Sequence, residues 1–395
     1  MVIAPGSLPG RQANTMHTMK MTQALIDLGH QVLLLVPKYP MKNVPDLEPV
    51  NWVGLAHVYG LHTEFKIEWL AVNPRLRRYD FGLRAFWRAR REGFDLVYTR
   101  LPQAAAMSSV GGIPTIFEIH DLPKGTGAPW LLRLFLRGRG AKHLITISKA
   151  LAVDLENFYR MPRKGGFLKI IPDGVDLERY ADLPTPLEAR KILMTSTARQ
   201  PFLSGNSFLV DRFTVGYTGH LYPGRGIDLI LCMAARLPEV NFLVAGGMPE
   251  DIEMVKREVF RLGLHNVYLT GFIPNAEIPL YQAACEVLLM PYQYSVAASS
   301  GGDISRYLSP MKLFEYLACG RAICSSDLPV LREVLSEETA VLIKPNDSEA
   351  WITAIQRLRQ RPDLLERLAR NAREEARRHS WENRARRMLA GIGQD

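Results

Sequence analysis

The stretch Ser299 to Gly320, SSGGDISRYLSPMKLFEYLACG, places small polar residues and the pair Gly301-Gly302 ahead of a helix signal. Glycine lets a backbone approach a ligand closely. Ser309 is a favoured N-cap, Pro310 suits the first helical position, and Met311 and Lys312 follow in the first turn. Gly320 sits where a C-cap belongs, so the spacing predicts a helix over about 310–319. Its unpaired N–H groups and positive dipole end would face the glycine loop, which makes an anion site. Glu315, a turn and a half inside, would reach a hydroxyl beside that anion. A phosphate and a sugar hydroxyl read by one short helix would be a nucleotide-sugar site. The alternative is an ordinary capped helix after a loop.

Other candidate residues stand where predicted strands end. Gly216-Tyr-Thr-Gly219-His220 leads into Pro223-Gly224-Arg225-Gly226. Arg225 can pair two phosphate oxygens at once, and His220 can add a hydrogen bond or a charge. A tight glycine turn carrying a surface arginine would read the same way. Gly246, in Ala245-Gly246-Gly247, and the run Thr270-Gly271-Phe272-Ile273-Pro274 also close strands. Phe272 would pack a base with backbone contacts from Ile273, unless these glycines simply mark strand ends. In the first half, His120 closes the strand ending Ile119-His120-Asp121. The loop Pro5-Gly6-Ser7-Leu8-Pro9-Gly10 reads as flexible and able to contact phosphate or acceptor, and Ser148 reads as an N-cap.

Several chemistries have no motif here. There is no Walker-type P-loop, no HExxH pair for zinc, no Asp-x-Asp to hold a metal diphosphate, and no complete GxGxxG fingerprint. No metal site and no cofactor are expected. Cys232, Cys285, Cys319 and Cys324 form no CxxC pair and are expected to be buried, reduced thiols. The formal charge of +9 favours anionic partners. Seven arginines fall between Arg75 and Arg91, interleaved with Tyr79, Phe81, Phe86 and Trp87. Such a helix suits peripheral contact with an anionic membrane, or it is a solvated helix whose aromatics pack inward. Nucleic acid is not expected. With no long apolar run and no leader-like N-terminus, a cytoplasmic protein is expected, peripheral on the inner membrane face if that helix binds lipid.

The elements that must position these residues alternate short apolar runs with helical patterns, the signature of a parallel α/β sheet. In the first half, strands are predicted at Val2–Ala4, Gln31–Val36, Trp52–Tyr59, Asp95–Tyr98, Thr115–Ile119, Leu144–Ile147 and Leu168–Ile171, with helices near 14–28, 75–91, 129–140 and 149–159. The proline-rich stretch 183–212 reads as irregular, and the alternation restarts at Phe213. This divides the chain into a first domain over 1–182, a linker or insert over 183–212, a second domain over 213–375 and a terminal helix over 376–395. Two similar α/β halves would bind ligand in the cleft between them, at strand carboxyl ends.

Taken together these pieces resemble the retaining GT-B glycosyltransferases of family 4. The matching text includes Leu28-Gly29-His30-Gln31-Val32, Ile119-His120-Asp121, Ile145-Thr146-Ile147-Ser148-Lys149-Ala150, Ile171-Pro172-Asp173-Gly174-Val175-Asp176, Gly216–Asp228, Val244–Gly247, Ser309–Gly320 and His379-Ser380-Trp381. The resemblance covers nearly the full chain. It implies two Rossmann-like domains facing across a cleft, with a nucleoside-diphosphate sugar (UDP- or GDP-sugar) held mainly by the second. It implies a glycan, lipid-linked or small-molecule acceptor on the first, and a last helix that returns to it. By the same analogy His120 lies near the donor sugar, Arg225 on the diphosphate and Glu315 on the ribose. The charge that develops on the leaving diphosphate is assigned to Arg225, the helix start at Ser309–Lys312 and the Gly301 and Gly302 amides, with Lys312 a further candidate; Gly219 is read as donor-binding and His120, Arg225 and Lys312 as the catalytic set. The chain departs from the family's Glu-x7-Glu pattern: Tyr307 stands eight residues before Glu315. The family's Arg-plus-Lys phosphate pair becomes His220 plus Arg225, with Lys312 either the second charge or directed to solvent. The reading is transfer of a sugar to an acceptor hydroxyl with retention. The competitors are a nucleotide-sugar 2-epimerase and a catalytically silent nucleotide-binding subunit.

Overall fold

A computed structural model describes residues 1–39, 51–159, 161, 166–195, 208–297 and 302–392. The chain forms two compact units, one of Met1–Asp173 with Trp381–Asp395 and the other of Gly174–Ser380. The division thus falls at Asp173, ahead of the expected 182, because Gly174 to Tyr180 packs with the second unit's core through Val175 and Tyr180.

The first unit holds strands β1 (Val2–Ile3), β2 (Leu33–Lys38), β3 (Lys66–Ala71), β4 (Val97–Thr99), β5 (Thr115–Ile119), β6 (Ala141–Thr146) and β7 (Leu168–Ile170). They pair in parallel in the order β3-β2-β1-β4-β5-β6-β7. The second unit repeats the plan with β8 (Thr214–Thr218), β9 (Asn241–Ala245), β10 (Val267–Leu269), β11 (Val287–Met290), β12 (Ala322–Ser326) and β13 (Val341–Ile343). Its order is β10-β9-β8-β11-β12-β13, again parallel. Both are Rossmann-like orders, and each reverses direction beside its first strand, which is where such sheets bind ligands. The strands β8, β9, β11 and β12 are buried throughout. That follows from their continuous apolar runs, covered by helices on both faces.

Several expected elements differ. Trp52–Tyr59 is a helix, not a strand. The Asn51 side chain accepts from Gly54 N at 2.7 Å and Gly60 closes it at φ 62°, so its two caps outweigh its β-branched and aromatic content. The strand expected there is β3, fourteen residues on. The basic helix is shorter than 75–91: a 3-10 turn at Pro74–Leu76 is separated from the helix Tyr79–Arg91 by Arg77 and Arg78, both at positive φ. A helix at Pro102–Val110 was not expected, nor one at Pro186–Thr195 within the stretch read as irregular. Residues 196–207 of that stretch lie outside the described residues. All four cysteines are free, and Cys232 is exposed where burial was expected. Among the described residues no helix is long and apolar enough to cross a membrane.

Candidate active site

In the second unit the loop after β8 begins Gly219-His220, and the loop after β11 begins Pro291-Tyr292, so both leave the switch point of the sheet. Three strand-end loops touch backbone to backbone. Gly219 N donates to Ala245 O and Gly246 N to Gly271 O, each at 2.8 Å. Gly246 has φ 119°, and a Cβ there would sit 2.3 Å from the Gly219 carbonyl oxygen. Gly219 has φ 129°, and its Cβ would sit 2.8 Å from Lys312 Nζ. Only glycine permits both the backbone conformation and the approach.

That vacancy is filled by the Lys312 ammonium, which lies 3.6 Å from the centroid of the Tyr217 ring and 5.7 Å from that of Tyr292. Nζ is covered by protein and has no hydrogen-bond partner among the described residues. Lys312 therefore points inward, not to solvent. Burial, then the nearby Arg225, push its pKa well below the usual lysine range. The Arg225 guanidinium carbon lies 5.2 Å from the same Tyr292 ring, and Nη1 donates to the Tyr292 hydroxyl at 3.0 Å. Its Nε is buried without a partner among the described residues. Lys312 and Arg225 thus converge on Tyr217 and Tyr292 with no carboxylate bonded to either among the described residues. Such a place calls for an anion with several oxygens.

Around this pair, the His220 ring stacks on Tyr222 with centroids 4.8 Å apart and planes 4° apart, while its carbonyl accepts from Tyr217 Oη at 2.6 Å. Glu315 accepts from Gln282 Nε2 at 3.1 Å and from Asn275 Nδ2 at 3.4 Å. Gln282 also donates to Thr218 Oγ1 at 3.1 Å, which ties Glu315 to the end of β8. The helix begins at Met311 behind an extended Pro310 with no side-chain cap, so Ser309 is not the N-cap. Gly320 closes the helix at φ 61°. Gly302 has φ 85°, and Gly301 lies outside the described residues. Phe272 is partly buried, and Ile273 packs against the hydrophobic core.

His120 and Gly6 belong to the first unit. The loop carrying Gly6 is not loose. Gly10 both donates to and accepts from the Tyr59 hydroxyl, at 2.7 and 2.9 Å, Trp69 Nε1 donates to Leu8 O at 3.3 Å, and Arg78 donates to Pro5 O. His120 lines a pocket with Pro5, Asn14, Arg100, Glu118 and Asp121 at the carboxyl ends of β1, β4 and β5. Sequence reasoning missed what stands behind it. Glu118 is fully buried, and its Oε1 accepts from Arg384 Nη2 at 2.8 Å and from His120 Nε2, with His17 Nε2 at 2.9 Å. Its Oε2 accepts from Tyr98 Oη at 2.7 Å. Burial opposes ionisation of Glu118, but Arg384 and the two histidines outweigh it and hold the pKa well below the usual carboxylate range. Facing a carboxylate, His120 Nε2 must carry the proton, which leaves Nδ1 as the acceptor. Burial, then Arg100, lower the His120 pKa to about 4, so the ring is neutral at neutral pH.

His17, Glu118, His120 and Asp173 offer donor atoms that all lie within 4.8 Å of one another. The ring nitrogens of His17 and His120 contact the Glu118 oxygen directly and a guanidinium shares it, so the arrangement is a hydrogen-bonded charge hub. A bound cation would have to displace Arg384. Removing Arg384 would strand a buried carboxylate, at a cost on the order of 3–5 kcal/mol.

Two Rossmann-like units in one chain, the second with a cation pair at its switch point, are the parts of a GT-B-type architecture. Comparison with known proteins agrees. The family described as "Glycosyl transferases group 1" matches residues 212–361, and "Glycosyltransferase Family 4" matches 15–179. A phosphatidyl-myo-inositol mannosyltransferase of Mycolicibacterium smegmatis is 22% identical over 92% of this chain and 86% of that protein. An alpha-D-kanosaminyltransferase of Streptomyces kanamyceticus is 23% identical over 88% of this chain and 85% of that protein. Among solved structures, Anabaena HepE in complex with UDP and glucose has a TM-score of 0.71 at 17% identity, covering 100% of this chain and 99% of that one. A sucrose-phosphate synthase from Thermosynechococcus elongatus has a TM-score of 0.71 at 19% identity, covering 98% and 96%. The chain belongs to the family 4, group 1 glycosyltransferases, enzymes that move a sugar from a nucleotide sugar to an acceptor hydroxyl.

The hub makes stability depend on pH. Burial raises the Asp173 carboxyl to about 7, opposed by Arg384 and assisted by Glu118. An acid whose folded pKa exceeds its unfolded value of 3.8 binds more protons when folded, so its contribution is lost as pH rises from about 4 to about 7. Asp173→Asn removes that loss. Its melting temperature relative to wild type should climb across pH 4–7 and stay level above, as read by calorimetry at matched ionic strength. A difference independent of pH would mean that Asp173 titrates normally.

Proposed function

We propose that the second unit binds the diphosphate of a UDP-sugar between Arg225, Lys312 and the start of the helix Met311–Cys319, with Glu315 on the ribose. The observation that carries this is the covered Lys312 ammonium beside Arg225, two like charges without a bonded carboxylate among the described residues. Uridine is favoured because the similar HepE structures hold UDP and UDP-glucose. In the reaction the bond between the anomeric carbon and the diphosphate oxygen breaks, and the acceptor oxygen bonds to that carbon on the same face. The acceptor proton passes to the leaving phosphate, and UDP departs. Charge grows on the diphosphate as the bond breaks, so fixed cations that meet it there lower the barrier. Retention is the family expectation. His120, neutral and held by Glu118, is assigned to the sugar side of the reaction.

Arg225→Ala and Lys312→Met should each weaken UDP binding by about 10- to 100-fold, the loss of a charge-assisted hydrogen bond or two. UDP released from UDP-glucose should slow by about 10²–10³-fold. Titration calorimetry and a UDP-release assay measure the two effects, and wild-type values in both variants would remove the diphosphate role. Glu315→Ala should raise the donor KM while leaving kcat within a few-fold.

The helix Tyr79–Arg91 suits peripheral attachment to an anionic inner leaflet. Phe81, Ala85 and Ala89 are buried beneath it, while Leu76, Leu83 and Trp87 are 49%, 46% and 59% exposed among the arginines. Apolar side chains standing out of a basic surface are what an interfacial helix needs. The chain should co-sediment with vesicles containing phosphatidylglycerol and not with pure phosphatidylcholine, and the double change Leu83→Ser, Trp87→Ser should release it. Equal sedimentation of variant and wild type would assign the exposed side chains no role in attachment.

A further inference from the structure

The pocket beside His120 contains a charge that the proposed chemistry does not use. Arg100 follows β4 and Pro5 follows β1, so both flank the switch point of the first sheet, and His120 follows β5 next to them. Arg100 Nη1 is covered by protein and has no hydrogen-bond partner among the described residues. The carboxylates nearby are committed elsewhere. Glu118 is bonded to Arg384, His120 and Tyr98. Asp121 pairs with Lys124 at 2.5 Å and accepts from Leu122 N at 2.8 Å. Arg384 already balances Glu118. Burial raises the third carboxyl nearby, Asp173, to about 7, so it is only part-ionised at neutral pH and Arg100 is left incompletely neutralised. Asn14 lines the same pocket, and its Oδ1 is likewise covered and unbonded. An amide reads equally well turned through 180°, which would present its NH₂ to an anion.

We propose that this pocket of about 190 Å³ takes an acceptor that carries an oxyanion, a phosphate ester or a carboxylate, on Arg100 and Asn14. The acceptor's hydroxyls then lie against His120, whose Nδ1 accepts a hydrogen bond. A guanidinium pairs such oxyanions through two parallel N–H bonds, which fixes orientation as well as charge. A neutral sugar would leave Arg100 covered and unpaired, and that penalty is the source of the selectivity. The proposal rests on the reading of this chain as a transferase whose acceptor binds the first unit.

The test uses the full chain at low ionic strength, with glucose 6-phosphate, glucuronate, glucose and inorganic phosphate as probes and titration calorimetry as the readout. Glucose 6-phosphate or glucuronate should bind at least about tenfold more tightly than glucose, the worth of one charge-assisted hydrogen bond. Which of the two binds tells phosphate from carboxylate. Arg100→Gln should abolish the preference and Arg100→Lys should keep part of it, both with UDP affinity unchanged, which also certifies their folding. A preference that survives in Arg100→Gln places the anion elsewhere and overturns the proposal. So does the absence of any preference in wild-type protein that binds UDP. Failure of the wild-type chain to bind UDP would instead count against the nucleotide site, while the Arg100 comparison would still be read from the sugar probes.

Discussion

The arrangement of the second unit turns on one unfavourable contact, an ammonium and a guanidinium sharing the ring of Tyr292. Like charges repel, and Lys312 also loses its water. The faces of Tyr217 and Tyr292 return part of that cost by cation–π attraction, on the order of 1–2 kcal/mol. The rest is borne by the sheet, because neither cation can move away without disturbing a strand end. Lys312 is fixed by the first turn of its helix. Arg225 is fixed by Gly226, whose Cβ would sit 2.0 Å from the Pro291 carbonyl oxygen. The diphosphate proposed for this site would relieve the repulsion and satisfy the covered nitrogens together.

The first unit solves the opposite problem, a buried negative charge. Glu118 lies within the β5 strand, where its side chain has no access to water. Arg384 reaches it from the helix Trp381–Leu389 and is itself held by Pro172 O at 2.9 Å. The terminal helix is therefore tied to the first unit by a charge that cannot be left alone. Breaking that tie would also loosen the Glu118 oxygen that holds the His120 ring, so the last helix positions His120 although it lies more than 250 residues away.

How much of this could be read beforehand depends on whether the cause was local. Buried parallel strands were legible, since continuous apolar runs such as Val287–Met290 have few other fates. The run Trp52–Tyr59 misled, because its aromatic and β-branched residues suit a strand and only the caps decide for helix. The edge strand Lys66–Ala71 hid behind a mixed pattern, most of its residues being partly exposed. In the candidate site, the placing of Arg225 on a loop after β8 and of Glu315 inside a helix could be read from spacing. Lys312 could not be oriented, because its direction depends on Gly219, some ninety residues earlier. Arg100, Glu118 and Arg384 carried no signal, since each acquires meaning only from a charge that folding brings to it.

The departure at Tyr307 fits the same electrostatics. Where the family pattern places a glutamate, this chain has a phenol that is buried behind a 3-10 turn, Ser305–Tyr307, and brings no negative charge. A carboxylate at that point would add a negative charge just ahead of the Lys312 helix and weaken its hold on a diphosphate. Without it, no carboxylate from that turn is set against Lys312 and Arg225. On the diphosphate reading proposed above, the missing glutamate and the inward lysine act in the same direction: the turn at Tyr307 adds no negative charge, and Lys312 is directed inward beside Arg225.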